Sequence, residues 1–396
     1  MRQQLPLSDF TVLELAGMIP GPYATMLLSD LGAEVIKVEE PESGDYQRQF
    51  GPETDGINHR FANYNRNKES IALDLKSDRG RAVLLELVEE SDVLLEGFRP
   101  GVVDRLGIGY DEVSARNPGL VYCSLSGYGQ NGPYREWVGH DINYLGLSGM
   151  LAMTGERDGP PVAPGYPISD FAGGIFAAFT IVSMLHQREQ TGEGEYIDLS
   201  MTDVAASWSQ QLLATVAAGQ QPRRGETLVS GNDPSYNIYE CADGEYITLG
   251  ALEPAFWKRL CDELSLEASE DADLSDPAVR EAVREELTEA FAQQSRDEWI
   301  ASLDETEIPV APVYSPDETL TTDEQIEARE LVREQDIDGT TLSLMGSPYK
   351  LASEPEMIRN PAPDHGGDTT AILERLGYDD DGIGDLFDDG IVTSSD

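Results

Sequence analysis

The sequence predicts an α/β protein that contains a large doubly wound, Rossmann-like domain and a smaller α+β domain. Short apolar runs alternate with helical patterns over residues 11–124, and a run of small apolar residues follows at 173–186. After a polar break at 220–225 the pattern changes to that of a hairpin. Strands that alternate with helices at this spacing form βαβ units and a mostly parallel sheet.

The strands of that sheet lie in the first third of the chain. They are predicted at residues 11–15, 34–38, 70–75, 92–95 and 120–124. Helices are predicted between them at residues 24–31, 78–90 and 111–116. Gly32 directly follows the first of these helices and suits its C-terminal cap. No Gly-x-Gly-x-x-Gly motif follows the first strand, so a nicotinamide or flavin site has no support.

The small apolar residues of 173–186 predict a tightly packed, buried helix. Residues 238–249 predict a hairpin that turns at Asp243 and Gly244. Helical, acidic segments then run to about residue 305, and a strand is predicted at 310–314. The Asp-rich segment at 378–382 is typical of a solvated surface.

These patterns divide the chain into three parts. We expect a large α/β domain over residues 1–225, a small α+β domain over 226–320, and a segment over 321–396 that returns to the large domain. A chain of 396 residues is long enough for two domains.

The charge balance is strongly acidic. The chain has 74 Asp and Glu residues against 27 Lys and Arg residues, for a net charge of −47. An anionic surface along the whole chain indicates adaptation to high salt, which screens the self-repulsion. It also argues against nucleic acid and anionic membranes as partners, since both bind through basic patches.

The cysteines and the apolar runs argue against further classes of protein. Cys123, Cys241 and Cys261 have neither paired nor metal-like spacing, so we expect no disulfide framework and no metal site. The N-terminal residues lack the pattern of a signal peptide. No stretch approaches the roughly 18 apolar residues that a membrane helix needs. We therefore expect a cytoplasmic protein without a membrane partner.

Two segments carry the candidate chemistry. Gly139–Tyr144 contains His140, one of only four histidines, and Ile168–Gly174 contains Asp170. A histidine and a carboxylate in one pocket can act as opposed proton carriers. The plainer readings are a hydrogen-bonded core histidine for His140 and a helix N-cap for Asp170.

Several longer segments resemble one known family. They are Gly21–Thr25, Asp30–Glu39, Asn67–Lys76, Gly97–Gly101 with Asp104–Gly107, Ser126–Pro133 and Asp170–Gly174. Their residues and their order resemble the class III coenzyme A-transferase superfamily, which includes formyl-CoA transferase, carnitine CoA-transferase and α-methylacyl-CoA racemase. The resemblance covers nearly the whole chain.

Two positions are similar to the racemase branch. Transferases of the family usually carry an aromatic residue where this chain has His140. Leu249–Pro254 resembles the racemase segment whose glutamate, here Glu253, supports the catalytic histidine. The plainer reading of Glu253 is a helix start, with Pro254 at the first helical position.

The resemblance implies two enzymatic readings. In the first, His140 and Asp170 exchange the α-proton of a 2-methylacyl-CoA thioester, and backbone N–H groups at the helix start receive the enolate charge. In the second, Asp170 attacks a donor thioester and CoA moves to a small carboxylate through mixed anhydrides and an enzyme thioester. His140 is then a polar pocket residue. A third reading is a non-catalytic acyl-CoA-binding protein.

The resemblance also implies a set of residues that bind the CoA moiety of the substrate, and no other cofactor. They are Leu73 and Lys76 near the nucleotide, Phe98, Arg99 and Arg105 near adenine and phosphate, and Tyr144 along the pantetheine arm. The plainer readings are surface ion pairs for the cations and a core contact for Phe98. Family members often carry arginine where this chain has Glu40.

Members of this family form intertwined homodimers, and the resemblance implies the same assembly here. It also implies an active site shared between the large domain of one chain and the small domain of the other, so Glu253 serves either its own His140 or the partner's. Four apolar or aromatic residues indicate an apolar acyl group: Met18, Ile19, Tyr236 and Trp257.

Overall fold

The computed structural model describes residues 5–266, 271–303, 306–337, 339–353 and 355–395. Parts of the acidic helical stretch that is predicted up to about residue 305, namely 267–270 and 304–305, lie outside the described residues. The chain divides into two compact units. Unit 1 lies within 1–148, 165–208 and 326–396, and unit 2 within 149–164 and 209–325.

Unit 2 includes two segments, 149–164 and 209–225, that the sequence-based boundary at residue 225 places in the large domain. Hydrogen bonds join the two segments to each other. The guanidinium of Arg224 donates to the carbonyl oxygens of Ala152 at 3.0 Å and Glu156 at 2.8 Å. These contacts between distant parts of the chain have no signature in the local sequence pattern.

The strands, in chain order, are β1 (Thr11–Leu15), β2 (Glu34–Glu39), β3 (Glu53–Thr54), β4 (Ile57–Asn58), β5 (Lys68–Leu73), β6 (Val93–Glu96), β7 (Val121–Ser126), β8 (Glu195–Ser200), β9 (Tyr236–Glu240), β10 (Tyr246–Gly250), β11 (Val310–Val313), β12 (Val332–Ile337), β13 (Thr340–Met345) and β14 (Val392–Thr393).

The helices are α1 (Pro20–Asp30), α2 (His59–Asn65), α3 (Asp78–Glu89), α4 (Val102–Leu106), α5 (Tyr110–Arg116), α6 (Asp141–Leu147), α7 (Met150–Met153), α8 (Ile168–Thr191), α9 (Met201–Ser207), α10 (Gln210–Ala217), α11 (Pro254–Leu264), α12 (Pro277–Phe291), α13 (Arg296–Leu303), α14 (Pro316–Thr321), α15 (Glu324–Ala328), α16 (Thr369–Arg375) and α17 (Asp380–Asp388).

The central sheet of unit 1 has the strand order β14-β5-β2-β1-β6-β7-β8. All neighbouring pairs are parallel except β14, which runs antiparallel to β5. This confirms the predicted α/β fold with a mostly parallel sheet. The predictions do not include β8. The order proceeds outward in both directions from β1 and β6, and a crevice at such a switch point is the usual ligand site of an open α/β sheet.

Alternating side chains of the strands pack into two apolar layers. In β1, Leu13 belongs to a cluster that includes α3, whereas its neighbour Val12 belongs to a cluster that includes α1 and α8. The same alternation separates Leu94 from Val93 in β6. Because successive strand residues point to opposite faces, both faces of the sheet are covered by helices.

Helix α8 is the long helix that supports the candidate site. It begins at Ile168, five residues before the predicted start, and packs closely on α1. A side chain at Gly174 would place its Cβ 2.7 Å from the carbonyl oxygen of Pro20, so the packing requires glycine there.

The expectation that no segment is long and apolar enough to cross a membrane was wrong. By length and composition α8 qualifies, with 24 residues and a mean hydropathy of 1.7 in its most apolar window. Polar residues such as Ser169, Asp170 and Thr180 interrupt its apolar residues, so the sequence shows no continuous apolar run of that length. One such helix is weak evidence for a span, since core helices meet the same criterion. Several residues along α8, such as Ala177 and Ile181, are buried in the core of unit 1.

Unit 2 contains a three-stranded antiparallel sheet in the order β11-β10-β9. The predicted hairpin is confirmed as β9 and β10, and Gly244 has a positive φ of 82° at its turn. Helices α11, α12 and α13 contribute to the apolar core of this unit, which includes Phe291 and Trp299.

Candidate active site

Two cavities lie at the edge of the central sheet where the parallel strands end. The first has a volume of about 530 Å³, and the second about 250 Å³. The segments after β1 and β6 contribute to both cavities, and Ala16, Gly17 and Phe98 line both of them. Both cavities therefore lie at the switch point of the sheet, where the strand order predicts a ligand site.

The first cavity brings together residues that are distant in sequence. The turns after β1, β6 and β7 meet the starts of α6 and α8 there. Among the predicted site residues, His140, Asp170, Tyr144, Arg99 and Phe98 line this cavity. The two proposed proton carriers thus face the same space, as the functional reading of both requires.

His140 lies at the N-terminal end of α6 with an extended backbone conformation. Its backbone N–H donates to Oδ1 of Asn143 at 2.9 Å. The residue is exposed in unit 1, so it is not the core histidine of the plainer reading. Its side chain projects from a helix terminus that Asn143 holds in place.

The N-terminus of α8 is capped by Asp141, the residue after His140. Oδ1 of Asp141 accepts hydrogen bonds from the Ser169 N–H at 2.6 Å, the Ser169 hydroxyl at 2.5 Å and the Asp170 N–H at 3.2 Å. Asp170 is the third residue of the helix and does not provide the cap. The capping role that was the plainer reading of Asp170 therefore belongs to Asp141.

The carboxyl group of Asp170 has an unusual titration. Burial, followed by repulsion from the nearby Asp141 carboxylate, raises its pKa to about 7. Among the described residues, no donor hydrogen-bonds this carboxylate and no cation pairs with it. Both of its protonation states are accessible near neutral pH, which is what a group that accepts and returns a proton requires.

Tyr144 is packed closely in the wall of the first cavity. Its ring lies against Gly127, where an added Cβ would come within 2.4 Å of the ring. The hydroxyl donates to the carbonyl oxygen of Gly139 at 2.6 Å. Burial and the nearby Asp170 raise the pKa of Tyr144 to about 12, so the phenol stays protonated.

A buried network of charges supports the loop between the two cavities. The Glu14 carboxylate is completely buried and contacts the ammonium groups of Lys37 at 2.7 Å and Lys68 at 2.8 Å. Lys37 also contacts Asp45 at 2.7 Å. Two of the five lysines are therefore buried and ion-paired inside the protein.

That network holds the loop through its backbone. Lys37 donates to the carbonyl oxygen of Ala16 at 2.9 Å, and Oδ1 of Asp45 accepts from the Met18 N–H at 3.3 Å. Met18 has a positive φ of 66°, which is uncommon for a residue with a side chain. Met18 lines the first cavity, as its predicted role requires, whereas Ile19 is not among the lining residues.

The second cavity contains three of the residues predicted to bind coenzyme A. Leu73, Lys76 and Phe98 line it, together with Glu40. Arg99 lines the first cavity instead. Arg105 lies in α4, is exposed, and lines neither cavity. The structure therefore places five of the six predicted CoA residues in two adjoining cavities and leaves Arg105 outside both.

Glu253, Tyr236 and Trp257 belong to unit 2. Glu253 is exposed and immediately precedes α11, which begins with Pro254. Its carbonyl oxygen accepts from the N–H groups of Phe256 at 2.9 Å and Trp257 at 3.0 Å. The local structure is thus the helix start of the plainer reading, and its proposed support of His140 stays a prediction.

Sequence reasoning did not identify three residues that matter at this site. Asp141 caps α8 without lining the cavity, and its signal in the sequence is its position next to His140. Arg135 and Trp137 line the cavity, from a segment without recognisable periodicity. Among the described residues, no group of three or more His, Cys, Asp or Glu side chains is arranged to hold a metal.

Comparisons with known proteins identify the family of this chain. The sequence model of CoA-transferase family III matches residues 7–369. Human alpha-methylacyl-CoA racemase is 34% identical over 396 residues, which cover 99% of this chain and 98% of the human protein. A succinate–glutarate CoA-transferase of Agrobacterium fabrum is 33% identical and covers 94% and 96% of the two chains.

The fold also matches a solved structure. A CAIB/BAIF family protein from Brucella suis superposes with a TM-score of 0.82 at 30% sequence identity. The match covers 94% of this chain and 100% of the Brucella chain.

Proposed function

The chain belongs to CoA-transferase family III, and within that family we propose that it is an α-methylacyl-CoA racemase. Such an enzyme epimerises the α-carbon of 2-methylacyl-CoA thioesters. The similarity to a human racemase supports this reading, but a CoA-transferase is about equally similar. The proposal therefore depends on the residues of the first cavity.

One observation carries the proposal: His140 and Asp170 line the same cavity, and the pKa of Asp170 is raised to about 7. Racemisation needs a base on one face of the α-carbon and an acid on the other. A carboxyl group with a pKa near 7 can fill either role at neutral pH, because a small free-energy cost separates its two forms.

In the proposed reaction His140 and Asp170 together carry one proton, which lies on one residue or the other before each turnover. For one epimer, neutral His140 removes the α-proton and protonated Asp170 delivers a proton to the opposite face. For the other epimer, ionised Asp170 removes the proton and protonated His140 returns one. Each direction of the reaction leaves His140 and Asp170 with exchanged protonation states. The two residues must therefore recover their starting protonation states before the enzyme can convert another molecule of the same epimer.

The expected contribution of the α8 N-terminus to enolate stabilisation needs correction. The N–H groups of Ser169 and Asp170 donate to the Asp141 carboxylate, and the Phe171 N–H donates to the Pro167 carbonyl at 3.1 Å. These donors are already engaged, so they do not form an oxyanion hole. We propose instead that they keep Asp170 in a fixed position beside His140.

The second candidate is a CoA-transferase that uses Asp170 as its nucleophile. The observation that favours it is the Asp170 carboxylate itself, which faces the cavity without a hydrogen-bond donor among the described residues. A nucleophilic carboxylate attacks the donor thioester and later carries CoA as an enzyme thioester. In that reaction His140 is a bystander.

We further propose that the protein acts as a cytoplasmic homodimer whose only cofactor is the CoA moiety of its substrate. Support for the dimer comes from helix α8, which exposes large apolar side chains in a single chain. Ile175 is 48% exposed and Phe179 is 67% exposed. Exposed apolar side chains on a core helix are typical of a surface that a partner covers. Glu253 is proposed to orient His140 within that assembly.

Solvent deuterium exchange tests the proposed function. Purified protein is incubated in deuterated buffer with (2R)- or (2S)-2-methylacyl-CoA and no acceptor acid. We expect deuterium at the α-carbon of both epimers and their interconversion. Absence of exchange, together with transfer of CoA to an added carboxylate, would show that the racemase proposal is wrong.

Chemical trapping tests the same choice from the other side. Borohydride or hydroxylamine captures an enzyme thioester or anhydride at Asp170 only if the carboxylate is a nucleophile. We expect no trapped adduct on the peptide that contains Asp170. The Asp170→Asn variant serves as the control, since its amide cannot form either intermediate.

A further inference from the structure

The second cavity carries an unusual charge arrangement for a nucleotide-binding space. On the proposed function, the nucleotide part of coenzyme A lies there. We infer that Glu40 cancels most of the binding free energy that the ribose 3′-phosphate would contribute. The protein would then accept thioesters of dephospho-CoA as readily as those of CoA. The inference concerns the substrate class and rests on the proposed acyl-CoA activity.

The Glu40 carboxylate is fixed in the cavity wall. Its Oε2 accepts hydrogen bonds from the Glu42 N–H at 3.0 Å, the Ser43 N–H at 2.9 Å and the Ser43 hydroxyl at 3.0 Å. The Glu40 carbonyl oxygen accepts from the Gly44 N–H at 2.9 Å and contacts Nε2 of His365 at 3.0 Å. Both the backbone and the side chain of Glu40 are therefore held.

The same hydrogen bonds keep the carboxylate charged. The bonds from Ser43 and Glu42, with a contribution from Lys76, lower the pKa of Glu40. An aspartate or glutamate that accepts several N–H and O–H bonds favours its ionised form. Glu40 therefore presents a permanent negative charge at neutral pH.

Lys76 is the cation that this charge affects. Its ammonium nitrogen lies 3.7 Å from Oε1 of Glu40, and its side chain is 77% exposed. A second carboxylate in the cavity wall, Asp74, accepts from the Lys76 backbone N–H at 2.9 Å. Lys76 thus has one carboxylate near its ammonium nitrogen and a second bound to its backbone N–H.

The remaining charged residues of the cavity wall do not compensate. Lys37 is fully buried in ion pairs with Glu14 and Asp45. Glu39 pairs with Arg48 at 2.7 Å. Of the described lining residues, this leaves Lys76 as the only cation outside a buried pair. The carboxylates of Glu40 and Asp74 line the same cavity, so these three residues together carry a net negative charge.

A phosphate monoester carries almost two negative charges at neutral pH. A phosphate that contacts the Lys76 ammonium group lies close to the fixed Glu40 carboxylate, which repels it. An exposed ion pair contributes about 0–1 kcal/mol, so the gain from Lys76 and the repulsion from Glu40 nearly cancel. The apolar and aromatic walls from Leu73 and Phe98 contact the rest of the ligand, which both thioesters share.

The test measures binding constants for CoA and dephospho-CoA by calorimetry, without any turnover. We expect the wild-type protein to bind the two within about threefold of each other, as an exposed contact allows. Glu40→Gln keeps an amide oxygen that can accept from Ser43 and Glu42. We expect it to tighten CoA roughly three- to fivefold and to leave dephospho-CoA unchanged.

Two further variants make the test specific. Glu42→Gln removes an exposed carboxylate from the same turn that does not line the cavity, and we expect no change in the ratio of the two constants. Lys76→Met in the Glu40→Gln background should abolish the tighter binding of CoA, because the ammonium group that no longer pairs with Glu40 provides that binding.

The outcomes separate this inference from the proposed function. A wild-type preference for CoA above about threefold, or an effect of Glu40→Gln on the ratio no larger than that of Glu42→Gln, overturns the inference. Binding of neither ligand removes the proposed function and the inference together. If the binding constants of CoA and dephospho-CoA have the expected ratios but no α-deuterium exchange occurs, the inference holds and the racemase proposal is contradicted.

Discussion

A fully buried carboxylate and a half-buried one behave in opposite ways in this protein. Glu14 is fully buried and contacts two lysine ammonium groups. Asp170 is half-buried and lines the first cavity, and no cation among the described residues pairs with it. Burial alone would raise the pKa of both groups, but in Glu14 the charges of Lys37 and Lys68 outweigh burial and hold the pKa below its usual value. The pKa of Asp170 is raised to about 7.

This difference separates a structural carboxylate from a chemical one. A buried carboxylate that is paired with cations holds its neighbours in place and stays ionised at neutral pH. A half-buried carboxyl group without a partner exchanges its proton easily but destabilises the fold when it is ionised. The protein uses the first kind to position the Ala16–Met18 loop and, on our proposal, the second kind to move a proton.

The strongest test of this contrast removes the carboxyl group of Asp170. Asp170→Asn keeps the size of the side chain but cannot accept or deliver the α-proton. We expect activity to fall about 10³- to 10⁴-fold, because general acid–base groups contribute on this scale. The measurement is the rate of epimer interconversion. Asp203→Asn, an exposed aspartate in the first turn of α9, is the control and should keep full activity.

The second test breaks the structural carboxylate. Glu14→Gln leaves the buried ammonium groups of Lys37 and Lys68 without their shared counter-ion. Loss of one partner from a buried ion pair costs about 3–5 kcal/mol, and we expect that loss in the free energy of unfolding.

Denaturant unfolding of Glu14→Gln in high salt gives this value. The matched control is Glu34→Gln on the neighbouring strand β2, where an exposed glutamate pairs with Arg375 at 3.2 Å. That change should cost at most about 1 kcal/mol. Equal losses in the two variants would contradict the structural role of Glu14.

The third test addresses the partner of Asp170. His140→Gln should reduce α-deuterium exchange about 10²- to 10³-fold for both epimers, since each half-reaction uses the imidazole. The control is His186→Gln, which changes an exposed histidine near the other end of α8. Full activity of the His140 variant would contradict the proton-transfer proposal and favour the transferase reading.

The smallest expected effect is a pH-dependent change in stability. The pKa of Asp170 rises from its usual value of 3.8 to about 7 on folding. The protonated form therefore favours the folded state. The contribution of Asp170 to the free energy of unfolding of the wild type is fully present below about pH 4. It is lost as the pH rises through 7.

Asp170→Asn removes that dependence. At pH 8 we expect the variant to be more stable than the wild type by about 1–2 kcal/mol, after allowance for the partial exposure of the group. The difference should disappear near pH 4. Unfolding at matched salt concentration across this range checks the sign, and a variant that is less stable at pH 8 would show that Asp170 is not destabilised by burial.

The sequence predicted much of the fold because its signals are local. β1 was predicted to the residue, and β2, β6 and β7 to within one or two residues, since buried strands of a parallel sheet read as short apolar runs. Strand β8 was missed because Asp198 interrupts its apolar residues, so Glu195–Ser200 lacks the continuous apolar run of the other parallel strands. The start of α8 was misplaced because its first turn contains polar residues and the cap comes from Asp141.

The candidate site was only partly predictable. The motifs identified His140 and Asp170, and the structure brings both into one cavity. Arg105 was predicted to contact coenzyme A from its motif alone, and it lines neither cavity. A motif specifies which residues are present, whereas the direction of each side chain depends on how its helix packs.

By itself, the sequence determined the α/β class, the family, and the identity of the two candidate proton carriers, because each of these is recorded in local patterns and ordered motifs. Only the tertiary structure decided which carboxylates titrate. The same chemical group, a carboxylate, is a buried paired anion at Glu14, a hydrogen-bonded charge at Glu40 and, on our proposal, a proton carrier at Asp170. The physical reason is that a pKa depends on burial and on neighbours that folding brings from distant parts of the chain.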